Sequence, residues 1–224
     1  MKGLFALILL SLSFIPVFAQ NEQSPIVEKA FDYKDWTYKN IRTESSTNLR
    51  DFAKGKKLVM VVYFAPWCPN WKHDVAFVQG LYEKYKANGL DVIGVGEYDP
   101  VAAMKSHLEA YKVTFPAVYE SDASFAREKT VHFAQRREAG DTRKWGSPWY
   151  LFLEPVTLET TGDVLSKKVN VVNGELIKDE ADKFIRAKLG LPVDAVKATA
   201  VSGNKTIEAC EPEKNPIALQ KPER

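Results

Sequence analysis

Five residues, Trp67-Cys68-Pro69-Asn70-Trp71, close an apolar run, Leu58-Val59-Met60-Val61-Val62-Tyr63-Phe64, and carry the clearest chemistry in the chain. A thiol where a strand gives way to a helix meets backbone N–H groups without intrahelical partners and the positive end of the helix dipole. Both favour thiolate over thiol. Such a thiolate attacks disulfides or peroxides, and a second thiol one helical turn along would resolve the mixed disulfide. Trp71 holds that position, so a resolving thiol has to come from elsewhere. The chain has two cysteines, Cys68 and Cys210, which form either one bridge or two separate thiols.

Elements that can position Cys68 are readable on both sides of it. The run 58–64 is continuous and apolar, as in a strand buried on both faces at the centre of a sheet. From Cys68 to about Lys86, Val75, Phe77, Val78, Leu81, Tyr82 and Tyr85 recur at helical spacing, and Asn88-Gly89 ends the helix. A second buried strand spans Asp91 to Val95. Asp99-Pro100, a carboxylate cap followed by proline, starts a helix from Val101 to Tyr111. Strand, helix, strand, helix predicts right-handed parallel crossovers. Phe115 to Tyr119 is extended, a charged stretch over 121–144 includes a helix from Ser124, and Trp149 to Leu153 is a strand. One or two more strands fall in 156–172, and a last helix runs from about Asp179 to Leu189, ended by Gly190. Upstream, Phe31, Tyr33, Trp36, Tyr38 and Ile41 with a turn at Asn40 predict a short hairpin covering a sheet edge.

The first twenty residues read as a secretory signal, with Lys2 as the charge, Leu4 to Phe14 as the apolar stretch and Val17-Phe18-Ala19 before Gln20. The expectation is an exported chain, periplasmic or secreted, with no stable membrane span after processing and no cysteine after the cleavage site to take a lipid. One domain is expected over 20–192, with its core at about 50–190, followed by a flexible tail over 193–224 that carries Cys210. A net charge of +2 gives no basic excess for nucleic acid or an anionic membrane. Three histidines and two cysteines show no metal-ligand spacing, and no cofactor is expected.

Four features in order resemble the thioredoxin-like redoxins of the bacterial cell envelope, the group that includes the membrane-tethered cytochrome-maturation reductases. They are Tyr63-Phe64-Ala65-Pro66-Trp67-Cys68, Val92-Ile93-Gly94-Val95-Gly96-Glu97, Tyr111-Lys112-Val113-Thr114-Phe115-Pro116 and Trp145-Gly146-Ser147-Pro148, within residues 30–190. The resemblance implies an α/β fold with a thioredoxin-like central mixed sheet flanked by helices, to which the residues add an N-terminal hairpin and a flexible C-terminal tail. It also implies that Cys68 is the nucleophile and that Pro148 is a cis-proline which, with Ser147, receives an extended peptide. Pro116 is the competing cis candidate. Asp74 stands where the family carries a glutamate and Glu97 matches another acid near such sites, so both are candidates for proton handling. Asp74 also reads as a solvated helix carboxylate. The chain departs from the family at Trp71, at Ala76 in place of a helix-kinking proline, and in the long segment 121–144.

Trp67, Trp71, Trp145 and Trp149 flank either the cysteine or the proline, and read either as the walls of a ligand groove or as core packing beneath the loop. The basic insert reads as a solvated helix or as a source of positive charge near the thiolate. Two functions follow. One is single-cysteine thiol–disulfide exchange or peroxide reduction on a disulfide-containing or extended polypeptide, a small thiol or a peroxide, resolved by an external thiol or by Cys210. The other is a redox-inactive binding or chaperone-like module that uses the aromatic groove.

Overall fold

The structure, a computed structural model, describes residues 22–192. A two-residue strand β1 (Gln23–Ser24) leads into β2 (Val27–Lys34), β3 (Thr37–Asn40), β4 (Ser46–Asn48) and a short helix α1 (Leu49–Ala53). Then come β5 (Leu58–Phe64), α2 (Pro69–Tyr85), β6 (Leu90–Gly96), α3 (Val101–Ala110) and β7 (Ala117–Tyr119). The charged stretch forms a 3₁₀ turn over Ser124–Lys129 and α4 (Val131–Glu138). It is followed by β8 (Trp149–Leu153), β9 (Val164–Val172), β10 (Glu175–Leu176) and α5 (Lys178–Leu189).

Eight strands form one sheet in the order β2-β9-β8-β5-β6-β7-β3-β4, and β1 pairs with β10 beside it. β5, β6 and β7 run parallel, while β8 pairs antiparallel with β5, as a mixed sheet requires. Every residue of β5, β6 and β8 is buried, which is why β5 and β8 read as unbroken apolar runs and β6 is broken only by Asp91. Alternation along β5 sends Met60, Val62 and Phe64 into the core that also holds residues of α2, α3 and α5. Val59, Val61 and Tyr63 enter the opposite core with Trp36, Trp149 and Leu151. α5 ends at Gly190, whose φ of 71° is the left-handed cap expected there.

Two expectations are corrected. The hairpin turns at Asn40, whose side chain accepts hydrogen bonds from the N–H groups of Arg42 and Thr43, but its arms are β3 and β4. Phe31 and Tyr33 belong to β2, which pairs with β9 at the opposite edge of the sheet. Apolar alternation fixes which face a strand buries and leaves open which edge it joins. At α3 the N-cap position falls on Pro100, one residue later than the Asp99 cap expected. The signal at 1–19 and the tail from 193, including Cys210, lie outside the described residues.

Candidate active site

Cys68 is the N-cap of α2, with φ −72° and ψ 121°, and Pro69 fills the first helical position, where a missing N–H costs nothing. Its own carbonyl accepts the first helical hydrogen bond, from Lys72 N–H at 3.1 Å. Across the site the Ser147–Pro148 peptide is cis, and among the described residues it is the only cis bond, so Pro116 is trans. Cys68 Sγ lies 3.2 Å from the Ser147 carbonyl oxygen, and Ser147 Oγ accepts from Ala65 N–H at 2.9 Å. The end of β5 is thus tied directly to the proline loop. Cys68, Ser147 and Pro148 are all buried. No described cysteine is a free thiol, Cys68 being disulfide-bonded.

The tryptophans separate into two kinds. Trp71 is fully buried, packs at 5.2 Å from the Phe64 ring and donates its indole N–H to Nε2 of His107 in α3 at 2.8 Å. Trp149 is fully buried on the other side of the sheet and bonds Asn173. Neither lines a groove, which corrects their expected role in substrate binding. A tryptophan supplies as much core as it does pocket wall, and its type alone does not say which. Trp67 and Trp145 do meet edge-on, 5.2 Å apart at 77°, with the Arg127 guanidinium 4.9 Å over Trp145. Trp67 is partly exposed.

Asp74 is fully buried, which overturns the solvated-carboxylate reading. One carboxyl oxygen accepts from Tyr150 OH at 2.7 Å and from Leu176 N–H at 2.8 Å, so its partners come from β8 and β10. Burial raises its pKa above the ordinary carboxyl value, against the lowering effect of those two hydrogen bonds. Glu97 is also fully buried. Burial and the neighbouring Glu120 carboxylate push its pKa well above normal, against the charge of Arg136. Glu120 itself accepts from the N–H groups of Val131 and His132 at the start of α4.

The insert, read either as a solvated helix or as a source of positive charge near the thiolate, contributes Arg136 and Arg143. Arg136 is fully buried and donates to the carbonyls of Asp141, Arg143 and Lys144, so it gathers the loop that leads to the proline. Burial lowers its pKa, against the charge of Asp141. It lies so close under Gly146 that a Cβ there would sit 2.3 Å from its Cδ, and Gly146 has φ 64°, so glycine is required on both counts. Arg143 donates to the carbonyls of Ser147 at 3.3 Å and Pro148 at 2.8 Å and makes a forked ion pair with buried Asp141. The signal available in the sequence was their place, on the charged stretch running into Trp145-Gly146-Ser147-Pro148. Among the described residues no group of three or more His, Cys, Asp or Glu is placed to hold a metal ion, and no helix is long and apolar enough to cross a membrane.

A mixed sheet with a helix-capping cysteine against a cis-proline defines a thioredoxin-like protein. The Redoxin family model matches residues 33–154, more than half of the chain, and the chain belongs to that family. It is similar to the thiol-disulfide oxidoreductase ResA of Oceanobacillus iheyensis, 29% identical over 91 residues, which are 39% of this chain and 46% of that protein. The Bacillus subtilis ResA is 26% identical over 69 residues, 31% of this chain and 38% of its own. The matches thus span less than half the length of these relatives. Among solved structures, a thiol:disulfide interchange protein of the thioredoxin family from Chlorobium tepidum aligns with TM-score 0.51 and 15% identity, covering 72% of this chain and 98% of its own. A DsbF homologue from Corynebacterium diphtheriae aligns with TM-score 0.51 and 15% identity, over 71% of this chain and 92% of its own. At that identity these two show the thioredoxin-like fold.

Proposed function

We propose that this chain is an exported redoxin in which Cys68 is the single nucleophile of the helix, acting on a disulfide or a peroxide. In the disulfide reaction the Cys68 thiolate attacks one sulfur of the substrate, forms a mixed disulfide, and releases the other sulfur as a thiolate that takes up a proton. A second thiolate then attacks Cys68 Sγ and expels the substrate thiol. Trp71 is locked to His107 and cannot fill that role, so the second thiol is Cys210 or an external reductant. If it is Cys210, the Cys68–Cys210 disulfide formed is reduced by an external thiol pair. The disulfide-bonded state of Cys68 in a chain with one other cysteine supports the Cys210 route.

The observation that carries this reading is the N-cap cysteine 3.2 Å from the carbonyl that precedes cis-Pro148. Export rests on the signal-like first twenty residues and on the likeness to ResA. Asp74 and Glu97, buried acids with raised pKa values, are the proposed proton-handling groups.

The burial of Cys68 and the Trp67–Trp145 pair favour a second reading, a binding module without redox turnover. The two are separated by exposing the reduced protein to a small disulfide and mapping adducts by peptide mass. A mixed disulfide on Cys68, or a Cys68–Cys210 peptide formed through it, is expected for the redoxin. An inert Cys68, with tryptophan fluorescence that responds to extended peptides, assigns the chain to the binding module.

A further inference from the structure

The Ser147 carbonyl oxygen is shared. Cys68 Sγ lies 3.2 Å from it on one side and Arg143 Nη1 donates to it at 3.3 Å from the other. Cys68 is disulfide-bonded in this structure; once reduced, its thiol can donate to that carbonyl oxygen whereas its thiolate is repelled by it, so the carbonyl by itself favours the protonated form. The positive end of α2 acts in the opposite sense. The guanidinium on the same oxygen opposes that repulsion, since it draws on the carbonyl's negative pole.

Arg143 is built to stay there. Its Nε and Nη2 fork onto the Asp141 carboxylate at 3.0 and 2.7 Å, Nη2 also donates to the Pro148 carbonyl at 2.8 Å, and Nη1 reaches Glu22 at 3.1 Å. Glu22 in turn accepts from Asn70 in the first turn of α2, so one carboxylate joins the cysteine's helix to the arginine's loop. Burial opposes the charge on Arg143, yet the bonds and charges of Asp141 and Glu22 hold its pKa above the ordinary value. The charged and titratable groups around it are Arg136 and His132 of α4, Asp141, Glu22, and Tyr150 of β8, which donates to Asp74 on α2.

We propose that Arg143 is a positioning residue for Cys68: it grips the Ser147 carbonyl that the sulfur touches, fixes the cis-proline loop against the thiol, and offsets that carbonyl's repulsion of the thiolate. The inference rests on the reading of Cys68 as a nucleophile. It gives the basic insert a function in the reaction, where the family resemblance gives none.

The test is alkylation of Cys68 in reduced, full-length protein by iodoacetamide between pH 5 and pH 9, read by mass on the Cys68 peptide. Arg143→Gln is expected to raise the midpoint by about one pH unit, which is about tenfold slower alkylation at a pH below both midpoints. Arg143→Lys keeps the charge without the fork and is expected to recover about half of that shift. Glu22→Gln keeps an acceptor for Asn70 and Arg143 but removes a negative charge, and is expected to lower the midpoint. A purely structural role moves both the Arg143→Gln and Glu22→Gln variants the same way, so parallel shifts, or no shift in Arg143→Gln, overturn the inference. If Arg143→Gln does not fold, Glu22→Gln decides alone, and a midpoint that stays or rises overturns it. A wild-type Cys68 that never alkylates overturns the nucleophile reading itself, an outcome distinct from a reactive Cys68 indifferent to Arg143.

Discussion

The indole N–H of Trp71 points at Nε2 of His107 across 2.8 Å, in a buried contact that ties the active-site helix α2 to α3. Tryptophan can only donate, so His107 must be neutral there with its proton on Nδ1. The residue one helical turn beyond Cys68 is therefore a structural tie between two helices.

Trp71→Phe should keep most of the apolar packing and leave the His107 nitrogen without a donor. The expected loss is about 1–3 kcal/mol of unfolding free energy, measured by urea denaturation. Trp71→Cys opens a large cavity as well, and about 3–5 kcal/mol is expected. If that variant still folds, it should gain two-thiol turnover of a disulfide substrate in the absence of Cys210. A Trp71→Phe protein as stable as wild type would show the indole bond to be of no consequence.

Burial depresses the pKa of His107 to about 4 from the ordinary 6.5. The unfolded chain then binds a proton that the folded chain refuses between those values, so this residue's contribution to stability is lost as pH falls from 6.5 towards 4. The full loss is about 3 kcal/mol. His132, fully buried and held well below its normal pKa by burial and by Arg136 and Arg143, acts in the same direction. The raised carboxyls act oppositely, so the total slope is mixed. The check is a difference: the gap in stability between wild type and His107→Gln should move in favour of the variant on acidification from pH 6.5 to 4.

Glu97 carries the other sign. Its folded pKa lies well above the ordinary carboxyl value, so its contribution is fully present below about 4.5 and declines as pH rises through the folded pKa. Glu97→Gln keeps the shape and cannot ionise. It should equal or exceed wild type in thermal stability at pH 7 to 8, with the advantage shrinking near pH 4. A variant that is uniformly less stable at every pH would mean that the carboxyl makes a bond the amide cannot replace.

How much of this was legible in the sequence follows from what each residue type determines locally. The apolar run of β5 was readable because full burial leaves it no polar residue, and α2 was readable because its buried Val75, Val78, Leu81 and Tyr85 recur at helical spacing. Pro148 was readable from its motif. The edge that β2 joins was not, because pairing partners lie over a hundred residues away, Val27 against Val171. Asp74 looked solvated because a carboxylate at helical spacing usually is, and only Tyr150 and the Leu176 amide make its burial tolerable. Arg136 and Arg143 were hidden in a charge-rich stretch for the same reason. Many of their partners are backbone carbonyls, which no side-chain pattern records.

Gly146 is where that hidden architecture is most easily broken. Its φ of 64° suits glycine, and Arg136 Cδ, Nε and Cζ all fall within 2.7 Å of where a Cβ would stand. The guanidinium cannot step aside, because it is fully buried and already holds three carbonyls of the loop. Gly146→Ala therefore combines left-handed backbone strain with displacement of a buried charge from its acceptors, each a recognised source of large destabilisation. About 3 kcal/mol or more is expected in urea denaturation. The damage should reach Cys68, since the carbonyls of Arg143 and Lys144 that Arg136 holds lie just ahead of Ser147. Arg136→Ala empties the space under Gly146, so the double variant Arg136→Ala, Gly146→Ala should be less destabilised than the sum of the two single changes. Strict additivity in that cycle would show that the glycine is needed for its backbone angle alone.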